Sequence, residues 1–202
     1  MQPTQTLPPD YAMSGTMDIT KDQRLLIILN VLGLALLAAG GWLFFVAIMA
    51  LRPQDATSQF SVLFSATLLE TLLLIGSVLA LTVVHILIHE AIHGVCFWWY
   101  TRNMPRFAFR WTHAYAAAPA WYLPRNRYLV TALAPLVVIS LAGLLLAWVV
   151  PPGWLLALWY VLTSNAGGSV GDLWVAVWLL RQPASCLAND RGDAVSLYNQ
   201  QS

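Results

Sequence analysis

The chain has 202 residues, 59% of them apolar and 9% charged, with a net charge of +1. Soluble domains carry roughly 25% charged residues, so this composition excludes an ordinary soluble domain and indicates an integral membrane protein of about one domain. The near-neutral charge, with no basic run and no glycine-rich phosphate loop, argues against nucleic acid as a partner.

Residues 1–24 are polar and contain prolines, with Lys21 and Arg24 beside the first apolar run; they read as a loosely ordered tail. Residues 25–51 are long enough to span. Leu37-Ala-Ala-Gly40 looks like a cleavage site, but the apolar run continues through Gly41-Trp-Leu-Phe-Phe-Val, longer than the core of a signal peptide. A retained first span is expected. After the connector Arg52-Pro-Gln-Asp55, residues 61–99 are almost continuously apolar, roughly 58 Å as helix and nearly twice a hydrocarbon core. Either this helix projects beyond the membrane or Gly76-Ser77 kinks it. Glu70 is placed at the far interface.

Residues 100–127 change character. They hold Arg102, Arg106, Arg110, Arg125 and Arg127, and Phe107, Phe109, Trp111, His113 and Tyr115 alternate with small or polar residues, which predicts a strand. It reads as a lid or membrane-surface hairpin, or as an edge strand that accepts an unwound substrate by β-addition. His113 reads as a structural residue of that strand. A second extended piece covers 117–123. Spans at 128–150 and 154–180 follow, joined by Pro151-Pro-Gly153, and the second is interrupted by the polar stretch 163–172. Residues 182–202 read as a polar tail. The expected fold is thus an all-α integral membrane protein of about four spans (25–51, 61–99, 128–150, 154–180), with a short β-like loop between spans 2 and 3. One membrane domain, 25–181, lies between two tails. The positive charges place both termini and the middle loop in the cytoplasm. Cys96 and Cys186 lack CxxC spacing and suggest no disulfide framework.

Chemistry concentrates in His85-Ile-Leu-Ile-His89-Glu90-Ala-Ile-His93. Three of the four histidines and one of the two glutamates lie there, inside an apolar segment where each charge costs roughly 2.5–3.5 kcal/mol. His-Glu-x-x-His puts His89 and His93 on one helical face, able to share a zinc ion, with Glu90 beside them as general base. A catalytic zinc needs a third protein ligand. With four alternating spans, His89 and Asp172 fall at nearly the same depth, roughly 15 Å from the inner surface. Asp172 is the preferred third ligand. His85 is the rival, but it lies about 12 Å along the axis from His93; a supporting role beside the site, or a proton relay, suits it better. Asn165, two turns before Asp172, is placed to donate to the oxyanion of a scissile carbonyl, or else to bond between helices. Gly167, Gly168 and Gly171 read as close-packing positions.

On His89-Glu90-Ala-Ile-His93-Gly94, Leu133-Ala-Pro135, Asn165 and Gly171-Asp172, the chain resembles the site-2-protease-like membrane zinc metallopeptidases, and more closely the small bacterial zincin peptidases related to them. The resemblance covers roughly residues 60–180. It implies Zn2+ held by His89, His93 and Asp172, catalytic Glu90, Asn165 near the reacting carbonyl, and peptide hydrolysis by zinc-activated water near the cytoplasmic face. The implied partners are the lipid bilayer of a bacterial cell membrane and a membrane-protein or peptide substrate. Two departures stand: no proline lies between Asn165 and Asp172, and Leu173 follows Asp172 where site-2 proteases carry glycine. The alternatives are an inactive membrane scaffold or chaperone that keeps a metal site, and a non-proteolytic metal-dependent enzyme. The diiron hydroxylase form of the latter needs about eight histidines.

Overall fold

The computed structural model describes residues 1–18, 21–65, 67–109 and 114–201. These form β1 (Tyr11–Asp18), α1 (Gln23–Leu51), α2 (Pro53–Ser65), α3 (Leu68–Thr101), β2 (Arg106–Phe109), β3 (Ala114–Ala117) and β4 (Tyr122–Pro124). Then follow α4 (Arg125–Leu146), α5 (Leu155–Gly168), α6 (Val170–Leu180), β5 (Leu187–Asp190) and β6 (Ala194–Gln200). Among the described residues, α1, α3 and α4 are long and apolar enough to cross a membrane. Their exposed side chains include Leu34, Trp42, Leu73, Leu79, Leu87 and Leu141. Such wide apolar surfaces are stable against lipid rather than water.

Helix starts follow local capping chemistry. Asp22 Oδ1 accepts the Leu25 amide at 3.0 Å and caps α1. At α3, Glu70 Oε2 accepts from the Thr67 amide at 2.7 Å, while Thr67 Oγ1 lies 3.4 Å from the Glu70 amide, a reciprocal capping box. This box separates α3 from α2 and divides the expected 61–99 helix at its start. No break falls at Gly76-Ser77, which lie inside the continuous α3. The expected fourth span is also divided: a 3-10 turn at Pro152–Trp154 precedes α5, which ends before Ser169, where the Ser169 amide and hydroxyl both donate to Asn165 O.

The chain separates into two compact units. One comprises 1–30, 90–135 and 171–202, and its centre is an antiparallel sheet in the order β1-β6-β5-β4. β1 pairs with β6 from Tyr11↔Gln200 to Asp18↔Ala194, with an irregularity between Met13 and Gly15. Thr4 bridges to Tyr122 at the β4 end. Phe97, Leu123, Tyr128, Val175, Leu179, Cys186 and Leu197 form the core beneath. Burial raises the Cys186 thiol pKa, and both cysteines are free.

This sheet corrects the expectation of an all-α chain with loosely ordered tails. The tails are its outer and central strands: β5 and β6 pair locally, and β1 gains its ladder only from β6 at the far end of the sequence. Of the expected strand through 107–115, the described residues belong to two paired strands, β2 and β3, with Phe107↔Ala116 and Phe109↔Ala114 in register. Trp111 and His113 lie outside the described residues.

The other unit, 31–89 and 136–170, is helical. Small residues let α1 and α5 approach: a Cβ on Gly40 would lie 2.6 Å from that of Ala166, and one on Gly167 2.8 Å from that of Leu37. Trp159 Nε1 donates to Gly41 O at 2.9 Å. Arg52, after α1, pairs with Asp55 at 2.6 Å and donates to the Val150 carbonyl.

Candidate metal centre

Helix α3 carries His85, His89, Glu90 and His93, and all three histidines are buried. The i, i+4 spacing stacks His89 and His93 on one face. Asp172 lies in the first turn of α6 and is half-buried. The possible ligand atoms of His89, His93 and Asp172 lie within 4.8 Å of one another. His93 Nε2 and Asp172 Oδ1 are 3.3 Å apart. Two ligand atoms about 2.05 Å from one tetrahedral zinc are separated by about 3.3 Å. Two imidazoles and a carboxylate also match the donor chemistry of a catalytic zinc site, so the residues present fit the metal.

The surrounding hydrogen bonds fix which ring nitrogens face inward. His93 Nδ1 lies 2.9 Å from Thr131 O. A carbonyl can only accept, so this bond puts the proton on Nδ1 and directs Nε2 to Asp172. Thr131 O is available because Pro135, four residues on within α4, has no N–H to bond it. The Leu133-Ala-Pro135 stretch thus has a local physical role: a proline gap in one helix supplies an acceptor for a histidine on another. His89 Nδ1 is likewise 3.1 Å from Asn165 Oδ1, which leaves Nε2 for a metal.

Asn165 is fully buried, and His85 Nε2 reaches the same Oδ1 at 3.4 Å. His85 is outside the three-residue group and packs edge-on against the His89 ring at 6.0 Å. The oxyanion expectation calls on the Asn165 amide NH2; the contacts to histidine use its oxygen. Gly168 and Gly171 meet no neighbour within 4 Å at the Cβ position, so of the three glycines in this stretch Gly167 is the one in close packing.

Glu90 is one position round the helix from His89. Its Oε2 accepts the Ala116 amide at 2.7 Å, which ties the carboxylate to the backbone of β3. Gly94, a turn further, makes room for β2: a Cβ there would collide with the Phe107 ring.

Asp190 stands out in no motif of the sequence. It ends β5, is buried, and accepts from Tyr128 Oη at 2.6 Å and the Gly192 amide at 2.7 Å. Burial pushes its carboxyl up to about 6, against the lowering effect of those two hydrogen bonds. The charges of His93 and Asp172 act on it as well. The available signal was Asp190-Arg-Gly-Asp193, a turn sequence in which Gly192 takes φ 91°.

Curated proteins and solved structures give no match to this chain. A family model described as "Putative zincin peptidase" matches residues 81–187, more than half of the chain. The match takes in His85, His89, Glu90, His93, the Thr131–Pro135 gap, Asn165 and Asp172, whereas Asp190 lies just beyond it. On that match the chain belongs to the putative zincin peptidase family.

Proposed function

We propose that the protein is a membrane-embedded zinc metalloendopeptidase that cuts a membrane-protein or peptide substrate near the cytoplasmic face. The observation that carries this reading is the grouping of His89, His93 and Asp172, with Glu90 next to His89 on the same helix. His89 Nε2, His93 Nε2 and an Asp172 oxygen would hold Zn2+. Zinc bound there supplies a Lewis acid that polarises a peptide carbonyl and brings the pKa of water towards neutrality.

Glu90 takes the proton of the attacking water and delivers it to the leaving amine. The Ala116 amide keeps the Glu90 carboxylate from rotating away. Thr131 and Asn165 hold the imidazoles in the metal-binding tautomer, so Asn165 is a positioning residue in this reading. A substrate segment extended alongside β3 brings its backbone to Glu90, which a helical segment would have to unwind to do. In the bilayer, α1, α3 and α4 cross, and α5 with α6 makes the fourth passage, leaving both termini in the cytoplasm of a bacterial cell.

Comparative membrane proteomics of cells carrying wild type or Glu90→Gln tests the reading. Glutamine keeps an acceptor for the Ala116 amide but cannot carry the proton, so cleavage falls by about 10²–10⁴-fold and a precursor accumulates. Full cellular function of Glu90→Gln would instead favour a scaffold that keeps a metal site.

A further inference from the structure

A cavity of about 650 Å³ lies by the end of α3 and the start of α4, lined in part by Trp99, Tyr100, Arg102, Asn126 and Arg127. None of the metal-centre residues lines it, and its lining holds two arginines and no Asp or Glu. Arg102 has φ 56°, the left-handed conformation that suits glycine after a helix. The backbone here works against a side chain, yet the side chain has a definite place: its guanidinium lies 5.5 Å from the Trp98 ring centre and 5.0 Å from that of Trp99. Arg127 lies 5.4 Å over Tyr100 in the same way. A guanidinium stacked by its face presents its N–H edge to an oxyanion.

The neighbours of this cationic pair are those of a membrane boundary. α3 is a membrane-length apolar helix that ends at Thr101, and Trp98, Trp99 and Val130 are exposed beside it. Exposed tryptophans at such an end mark the headgroup level. We propose that this cavity binds the phosphate-bearing headgroup of an anionic phospholipid. Arg102 and Arg127 take the phosphate, and an acyl chain runs down over Trp99 and Val130. The inference rests on the membrane character of the chain and requires neither zinc nor proteolysis.

The test uses the full chain in detergent, with native mass spectrometry and thermal unfolding on adding phosphatidylglycerol, phosphatidylcholine or soluble glycerol phosphate. Wild type should retain phosphatidylglycerol with about tenfold or greater preference over phosphatidylcholine, since each basic residue at an anionic surface favours binding several-fold. Arg102→Gly relieves the left-handed strain, so it should fold at least as well while losing most of that preference; Arg127→Gln should lose part. Equal retention of the two lipids by wild type overturns the proposal with no variant needed. An undiminished preference in folded Arg102→Gly overturns it as well, and equal stabilisation by glycerol phosphate would make the ligand a soluble phosphate.

Discussion

Thr131 O accepts from His93 Nδ1 at 2.9 Å because Pro135 leaves that carbonyl without a helical donor. A Pro135→Ala chain restores an N–H that competes for Thr131 O. Two effects of opposite sign are expected. The helix gains on the order of 3 kcal/mol, the usual penalty of an interior proline, less whatever packing Pro135 supplies. Zinc affinity falls about 10–100-fold, as for loss of a group that orients a metal-binding histidine. Thermal unfolding and zinc competition against a chelator measure the two separately; unchanged affinity would show that Thr131 does not orient His93.

Asp190 gives a pH dependence with a definite sign. Its carboxyl titrates at about 6 in the folded chain, above the usual 3.8. A carboxyl raised on folding contributes stability that is fully present below about 4 and is lost as pH rises through about 6. The loss is on the order of 2–3 kcal/mol. Asp190→Asn keeps an acceptor for the Gly192 amide and removes the titration. The unfolding temperature of wild type relative to Asp190→Asn should therefore fall between pH 4 and 7; a constant difference over that range would contradict the burial argument.

How much of this was legible in the sequence depends on the range of the interaction. His89, Glu90 and His93 were legible because one helical turn relates them. Asp172 was reachable from matched depth, and the structure puts it beside His93 at 3.3 Å. Thr131 was not, since only the pairing of α3 with a proline gap in α4 gives its carbonyl a function. The terminal strands were hidden for a similar reason. Tyr11 and Gln200 pair across almost the whole chain, and β5 has four residues, too few to show a period. The Thr67-x-x-Glu70 box, by contrast, was a local signal, overridden by the apolar run around it.

Two glycines in the long helices should respond oppositely. Gly40 faces Ala166 at a separation that admits no Cβ, whereas Gly76 meets nothing within 4 Å. Gly40→Leu should lower stability by about 1–3 kcal/mol through overpacking. Gly76→Ala should leave it unchanged or raise it by up to about 1 kcal/mol through helix propensity. Detergent unfolding of the two variants side by side checks the α1–α5 contact, and equal effects would argue against it.

Metal analysis of the purified chain decides whether His89, His93 and Asp172 hold a zinc ion. About one zinc per chain is expected, retained in Glu90→Gln and lost or greatly weakened in Asp172→Asn and in His89→Ala/His93→Ala. Two irons per chain, or zinc that survives with unaltered affinity in Asp172→Asn, would contradict the three-ligand site on which the peptidase reading stands.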